Sequence, residues 1–452
     1  MSNEEKNSGF NRVVITGMGA ISPAGFGVDA LWSKVASGEC CFTLLPEEKR
    51  EQLNVSVVGA IPDYDPLKAG FSKKESRRFA PFVQYAILAS DEAMTQAGID
   101  MEQEDATRFA CVFGSGIGGM EVFERESIVL HEKGAKRVSP LFIPTMISNM
   151  AAGNLAIRYG LKGDCLNIVT ACSTGTHCVG EAYRLIRFGL ADAALAGGTE
   201  EGITNMSLAG FGNLGAITKS DDPMKAGLPF DARRSGFVAG EGAGALVLES
   251  LEHAQARGAN IIAEITGFGS TGDAYHMTAP EPSGEGAVRA MRQALAEGGF
   301  SLEEVGHLNA HGTATHVNDM VEAAAWHGLL GDDLASKIPV TSVKGTVGHM
   351  MGAAGAIEAI VTAISVSRGI VPPTAGYSEA DPECPVFVPS GALVNRPQKV
   401  ALSNSLGFGG HNASLAVSPF TEVCEYWGLR SLFPVTVRVC WHCCPIAIRL
   451  CG

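Results

Sequence analysis

Apolar positions in this chain arrive in unbroken runs, not in alternation with polar ones. The stretches "VVITGMGA" (13–20), "AALAGG" (193–198) and "GALVLES" (244–250) read as strands without a polar face. Such strands belong to sheets covered on both sides. The run "GAAGAIEAIVTAISVS" (352–367) has helical composition and one charge, Glu358. A helix that is apolar all round is buried all round. The pattern predicts an α/β protein of stacked layers, with such helices sandwiched between two sheets.

Three segments recur in the same order. "VVITGMGA" is answered by "AEITGFGS" (263–270), each an apolar strand ending in Ile-Thr-Gly-x-Gly. "AMTQAGIDMEQEDATRFACVFGSG" (93–116) is answered by "ALAEGGFSLEEVGHLNAHGTA" (294–314): a helix ends at Gly, an acidic linker follows, then a strand ends in small residues. "CLNIVTACSTG" (165–175) is answered by "IPVTSVKGTVG" (338–348), each a strand with a Gly-rich turn that opens a long Ala-rich helix. This places Lys344 and His349 at the counterpart of the turn that holds Cys172. The chain therefore reads as two copies of one α/β unit, 12–258 and 259–417, preceded by an arm, 1–11, and followed by a tail, 418–452. The strand-to-helix turns of the two copies would meet near a pseudo-twofold axis.

Composition narrows the class. With 452 residues, 46% of them hydrophobic and 18% charged, the chain exceeds one simple domain. Its 55 glycines point to tight turns and close backbone approaches. The start, "MSNEEKNSGF", has neither the apolar core of a signal peptide nor the Arg-rich pattern of a transit peptide. No uninterrupted apolar run reaches membrane-spanning length. A soluble, cytoplasmic protein is expected. The net charge of −14 argues against nucleic acid as a partner, while leaving room for local basic patches. The 12 cysteines follow no disulfide framework, and five of them (Cys424, Cys440, Cys443, Cys444, Cys451) crowd into the tail. Their spacing fits no standard zinc finger. The tail is expected to be an appended, poorly ordered segment, and no metal site is assigned.

Four stretches hold polar residues that an apolar interior would need a reason to keep. In "IVTACSTGTHCVG" (168–180), Cys172 falls where a strand-like run turns into a helix. Unpaired N–H groups and the helix dipole favour a thiolate there and suit an oxyanion on an acylated cysteine. Taken alone, however, Cys172 reads first as a small buried core residue. His311, in "LNAHGTATHVND" (308–319), reads alone as a satisfied core histidine. Lys344 and His349 precede the buried helix that carries Glu358, and a buried Lys and Glu are costly unless they pair or serve a site. "GFGG" (407–410) is a flexible loop around one large aromatic, Phe408.

Together these stretches resemble the β-ketoacyl-acyl carrier protein synthases of the synthase II type, elongating condensing enzymes of the thiolase superfamily. The resemblance runs from residue 12 to about 417 through "TACSTGTHCVG", "PFDARRSGFVAGEGAGALVLE" (229–249), "NAHGT", "SVKGTVGHMMGAAGAIEA" and "NSLGFGG". It implies a thiolase-like fold, a five-layer αβαβα sandwich of two pseudo-repeated halves. It also implies a Cys-His-His site that needs no metal or redox cofactor. Cys172 would take an acyl chain from a carrier-protein thioester. His311 and His349 would stabilise the enolate left by decarboxylation of a malonyl thioester. The turn N–H groups of Cys172 and Phe408 would hold the oxyanion. Lys344 and Glu358 would form an ion pair that orients His349.

By the same resemblance, Thr313 and Thr315 would bond the pantetheine amides, and Thr278 would border that tunnel. Phe408 would gate entry, and Ile117 and Phe211 would wall the acyl pocket. Acyl carrier protein, in acyl and malonyl forms, is the implied partner. Lys73, Lys74, Arg77 and Arg78, with Lys136 and Arg137, are candidate docking residues, though each reads equally as part of a solvated face. A homodimer is implied. Three departures stand out: His316 after "HGTAT", His411 in "GFGGHN", and "SVKGTVGH" itself. None removes a catalytic group. A biosynthetic thiolase would be expected to carry a second reactive Cys near the C-terminal end in place of "GFGG". A non-catalytic partner subunit would lack the nucleophile.

Overall fold

A computed structural model describes residues 9–421. The tail from residue 422 and residues 1–8 of the arm lie outside the described residues, so the expectation of a poorly ordered tail falls there too. Ten strands carry the fold. In the first half they are β1 (Val13–Ser22), β2 (Phe109–Gly114), β3 (Cys165–Leu166), β4 (Ala193–Glu200) and β5 (Gly242–Ser250). In the second they are β6 (Ala263–Gly272), β7 (Val305–Asn309), β8 (Val340–Thr341), β9 (Val400–Gly407) and β10 (His411–Ser418). Six helices layer them: α1 (Pro81–Ala97), α2 (Met150–Tyr159), α3 (Thr174–Arg187), α4 (Glu285–Gly298), α5 (His316–Leu330) and α6 (Ala354–Arg368).

Strand order repeats. The first half runs β3-β2-β4-β5-β1, and the second runs β8-β7-β9-β10-β6. In each, the last three strands pair antiparallel and the first three parallel. The two expected sheets are joined: Val13–Ile15 of β1 pair with Ala263–Ile265 of β6, making one continuous path.

Helices α1 and α2 cover the first half-sheet, and α4 covers the second with α5 packed on it. Helices α3 and α6 fill the middle and touch strands of both halves. The fold is the five-layer sandwich that the resemblance implies, and the unalternating runs form its covered layers. Residues 354–366 of α6 are buried without exception. The segment Met351–Arg368 is apolar and long enough to cross a membrane, and 89% of it is buried inside the protein, as befits a core helix. Three apolar clusters fill the layers, one around Val179, Ile357 and Ile360 in the middle and one under each outer helix layer.

The Ile-Thr-Gly-x-Gly echo has a packing cause. A Cβ on Gly17 or Gly19 would overlap the Ala93 and Ala89 carbonyls of α1, and one on Gly267 or Gly269 the Ala294 and Ala290 carbonyls of α4. Each outer helix presses its backbone onto the innermost strand of its half, β1 or β6, at these residues. The middle helices cross at an equivalent pair. A Cβ on Gly175 would lie 2.7 Å from the Ala356 nitrogen, and one on Gly355 would lie 2.5 Å from the Thr176 nitrogen.

The third echo aligns differently than its spacing suggests. Regular strand is confined to Cys165–Leu166, and the apolar run Ile168–Thr170 is irregular backbone leading to a 3-10 turn, Ala171–Ser173. The counterpart of that turn is Met351–Ala353, which opens α6. Both turns begin in the left-handed region, with φ of 50° at Ala171 and 46° at Met351. The counterpart of Cys172 is therefore Gly352. Lys344 and His349 lie in an extra segment between β8 and that turn.

An exposed Gly-to-Ala change inside a helix ordinarily stabilises, by up to ~1 kcal/mol. At Gly355 the Cβ meets backbone, so Gly355→Ala should instead cost about 1–3 kcal/mol, read as a lower urea midpoint.

Candidate active site

The turn Ala171–Ser173 places Cys172 at the N-terminal end of α3, 8% exposed at the edge of the middle layer. Its own N–H and that of Phe408 point at the sulfur. Burial nonetheless pushes the thiol up to about 12, Lys344 pulls it partly back, and Glu200 raises it further. The turn does not yield a resting thiolate, because desolvation outweighs its N–H groups.

His311 follows β7. Its N–H and that of Gly312 donate to the Glu322 carboxylate of α5 at 2.7 and 2.8 Å. Lys344 Nζ donates to the His311 carbonyl at 2.6 Å and faces His311 Nδ1 at 3.3 Å. His349 Nδ1 accepts the Met351 N–H at 3.3 Å. In both rings the donors around Nδ1 assign it as acceptor, which leaves the proton on Nε2. The rings lie edge to face, 5.3 Å apart at an interplanar angle of 86°, with Phe237 edge-on to His349. Burial first, then the Lys344 charge, holds both imidazoles well below the ordinary histidine range. Both are neutral donors at physiological pH.

Lys344 and Glu358 form an ion pair, their side chains 3% and 1% exposed. Ser405 Oγ donates to the other Glu358 oxygen at 3.4 Å. Burial raises the Glu358 pKa and Lys344 opposes it. This pair braces His311, not His349 as expected: Lys344 Nζ bonds the His311 carbonyl and faces its ring, while His349 is held by the Met351 N–H on its Nδ1 and by its own backbone N–H to the Val238 carbonyl at 2.7 Å.

A cavity of ≈ 420 Å³ reaches this group from the surface. Cys172, His311, His349 and Phe408 line it. So do Phe211, Thr278, Thr313 and Thr315, and the two hydroxyls of Thr313 and Thr315 share a 2.8 Å hydrogen bond. Ile117 does not line it; its N–H is pinned to Glu200 at 3.1 Å on a separate loop. Phe408 sits on the β9–β10 turn between Gly407 and two glycines with φ of 86° and 75°. The Gly409 N–H donates to the Met277 carbonyl, so this turn leans on the segment around Thr278.

His316 stands at the cavity mouth, its Nδ1 facing a buried Arg234 guanidinium at 3.1 Å. The His411 carbonyl accepts Ser173 Oγ, which ties the gate turn to the nucleophile's turn. Neither His177 nor Cys178, further along the same motif, lines the cavity. His177 bonds Thr170, Ser173 and Ser270, and Cys178 is fully buried. Lys73, Lys74, Arg77 and Arg78 are exposed on or beside the short helix Glu75–Arg78, and Lys136 and Arg137 on the turn Ala135–Arg137.

Two of the buried carboxylates that escaped the sequence reading bear on the site. Glu322, which fixes the His311 turn, is a lone acid in the apolar run "VEAAAW". Glu200 ends the wholly buried strand β4. The signal in both is the one that marked Glu358: a charge where the pattern leaves no solvent-facing side.

A duplicated five-layer fold, a cysteine under two N–H groups and two neutral imidazole donors define a thiolase-like, acyl-transferring condensing enzyme. The beta-ketoacyl synthase N-terminal domain matches residues 10–254 and the C-terminal domain residues 262–378, and the chain belongs to this family. The 3-oxoacyl-[acyl-carrier-protein] synthase 2 of Staphylococcus aureus (strain COL) is 46% identical over 409 residues, 90% of this chain and 98% of the relative. That of Rhizobium meliloti (strain 1021) is 44% identical over 91% of this chain and 99% of the relative. Among solved structures, a beta-ketoacyl synthase from Burkholderia phymatum STM815 superposes with a TM-score of 0.83 at 33% identity, over 91% of this chain and all of that one. A type II PKS ketosynthase in complex with its acyl-carrier protein gives 0.84 at 31%, with the same coverage.

A thiol held at about 12 predicts the pH dependence of its alkylation. Below that value the thiolate fraction grows about tenfold per pH unit. Iodoacetamide labelling of Cys172, followed by peptide mass spectrometry, should therefore accelerate steadily from pH 7 to pH 9.5 without a plateau. A plateau near pH 7 would show a resting thiolate instead.

Proposed function

We propose that this protein condenses an acyl group held on Cys172 with malonyl-acyl carrier protein, giving 3-oxoacyl-acyl carrier protein and carbon dioxide in fatty acid elongation. The observation that carries this reading is the convergence of Cys172, His311, His349 and Phe408 on one cavity. Acyl transfer comes first: the thiol attacks the thioester, the Cys172 and Phe408 N–H groups receive the oxyanion, and as the bond to the carrier sulfur breaks that sulfur leaves with the thiol's proton. The malonyl thioester then replaces the freed carrier. Loss of carbon dioxide leaves an enolate whose oxygen meets the two Nε2–H donors. Neutral donors suit this step, since they give hydrogen bonds without protonating the carbanion. Lys344 keeps the His311 proton on Nε2. The carbanion attacks the acyl-Cys172 carbonyl, and collapse of that adduct releases the thiolate and the product. Thr313, Thr315 and Thr278 are read as pantetheine contacts, Phe211 as acyl wall and Phe408 as gate.

Acyl carrier protein is the proposed partner, docked through the exposed cations at 73–78 and 136–137. The synthase 2 names of the relatives support it. A homodimer is the proposed working form. Support comes from edge strand β3, which presents one side unpaired, and from the exposed apolar residues Ile143, Ile157, Leu166 and Val169 around it. A cytoplasmic location accords with seven free thiols among the described residues. Similarity to type II PKS ketosynthases at 31% keeps a polyketide chain as the second reading, and the 46% identity to a synthase 2 favours the first.

Incubation with acyl and malonyl carrier proteins should yield 3-oxoacyl product, with acyl length and polyketide primers varied to choose between pathways. Cys172→Ala should lower condensation at least about 10³-fold; retained condensation would sink the mechanism. Cys172→Gln places an amide where the acyl carbonyl would lie. It should abolish condensation while raising malonyl decarboxylation, measured as carbon dioxide release.

A further inference from the structure

The gate turn rests on a ring that takes no part in the chemistry. Phe408 opens the β9–β10 turn and is followed by Gly409 and Gly410, both with positive φ. Two glycines in sequence leave that turn without side chains to hold it. His411 comes next, fixed at the start of β10 by its ladder pairs, Gly407 on β9 and Gly272 on β6. Its half-buried ring lies on the backbone of the turn: a Cβ on Gly409 would fall 3.1 Å from both His411 Cδ2 and Nε2. The same ring meets His177 of α3 edge to face, with centroids 6.4 Å apart at 86°. His177 is itself anchored, since Thr170, Ser173 and Ser270 occupy both its nitrogens. Among the described residues no hydrogen bond reaches the His411 ring nitrogens, so the ring acts by its shape.

We propose that His411 is a positioning residue for the gate: its ring, set between Gly409 and His177, holds the Phe408 turn against the helix that carries the nucleophile. Other contacts between these segments agree. The His411 carbonyl accepts Ser173 Oγ at 2.9 Å, one residue from Cys172. A Cβ on Gly407 would fall 2.5 Å from the Thr170 carbonyl oxygen and 3.0 Å from Ser173 Oγ, so the foot of the turn already rests on the nucleophile's turn. The tip has a weaker hold. The Gly409 N–H donates to the Met277 carbonyl at 2.8 Å, and Met277 is exposed, so water can replace that bond when the turn moves. The ring cannot be displaced without moving α3, which is buried in the middle layer. It therefore sets the place to which the turn returns after opening, with Phe408 in the cavity beside Cys172. The consequence for turnover rests on the gate and oxyanion roles proposed above; the bracing of the turn does not.

The test uses the intact protein and two variants, His411→Ala and His411→Phe, each checked for folding by circular dichroism and melting. Access to Cys172 is read as the ratio of its labelling rates with a long-chain N-alkylmaleimide and with iodoacetamide; the thiolate fraction cancels in that ratio. In His411→Ala the turn loses its wall, and the ratio should rise at least about threefold. Amide hydrogen exchange should quicken in the peptide covering 406–411 and stay unchanged over α3. The condensation kcat should fall at least about threefold, because the Phe408 N–H is held less often at the oxyanion. His411→Phe restores a flat ring without nitrogens and should bring all three readouts to within about twofold of wild type. A folded His411→Ala protein with the wild-type ratio and exchange overturns the proposal. So does a folded His411→Phe protein that behaves like His411→Ala. Should His411→Ala fail to fold, His411→Thr, whose branched side chain suits a strand, takes its place under the same criteria. If the wild type condenses nothing, the proposed reaction fails, and the labelling and exchange arms still judge His411.

Discussion

The fold turns on the burial of two helix N-termini in its middle layer. A helix end leaves N–H groups without partners, and apolar surroundings make that expensive. Helices α3 and α6 both begin inside the sandwich, near the axis that relates the halves. At α6 the protein supplies its own acceptor, the Glu200 carboxylate. At α3 it supplies a thiol, and the two N–H groups that face the sulfur are free to take a substrate oxygen. The asymmetry is small in sequence, Cys172 against Gly352. It divides a duplicated scaffold into one end that reacts and one that is sealed.

The close approaches that hold these ends in place explain which features the sequence displays. Gly17 and Gly19, like Gly267 and Gly269, sit where an outer helix backbone presses on one of the two strands that join the halves. Only glycine leaves that room, so the Ile-Thr-Gly-x-Gly echo is legible by eye. The layered order was legible for a similar reason: strands and helices without a polar face have only the interior to occupy. The chemical residues stood out because Lys344, Glu358 and the two histidines are polar in runs that allow no solvent-facing side.

What stayed hidden depends on distances between segments far apart in the chain. The match of "CLNIVTACSTG" to "IPVTSVKGTVG" is correct for the strands and wrong for the turn, since extra residues, including the short helix Lys344–Val347, intervene before Met351. Spacing alone does not reveal an insertion that restores the register of small residues. The ion pair's client was misjudged likewise. Lys344 is five residues from His349 in sequence, yet its ammonium reaches His311, 33 residues away, because β7 and β8 run side by side. Ile117 was read as a cavity wall from its motif, and its backbone turns out to be tied to Glu200 instead.

A single dielectric environment bears on both half-reactions, in opposite directions. Burial makes the imidazoles neutral, which on the proposed reading is what enolate formation requires, because a charged imidazolium would protonate the carbanion. The same burial raises the Cys172 thiol to about 12, which opposes acyl transfer. Lys344 is the one group that helps both steps. Its charge lowers the thiol and depresses the histidines, while its hydrogen bond keeps the His311 proton on Nε2. An exposed lysine would do neither at useful strength, since solvent would screen its field. Buried, it needs Glu358, and Glu358 needs it. The ion pair deep in α6 is therefore tied to the chemistry as well as to the core: it places one positive charge where water is excluded, within reach of groups that must stay uncharged.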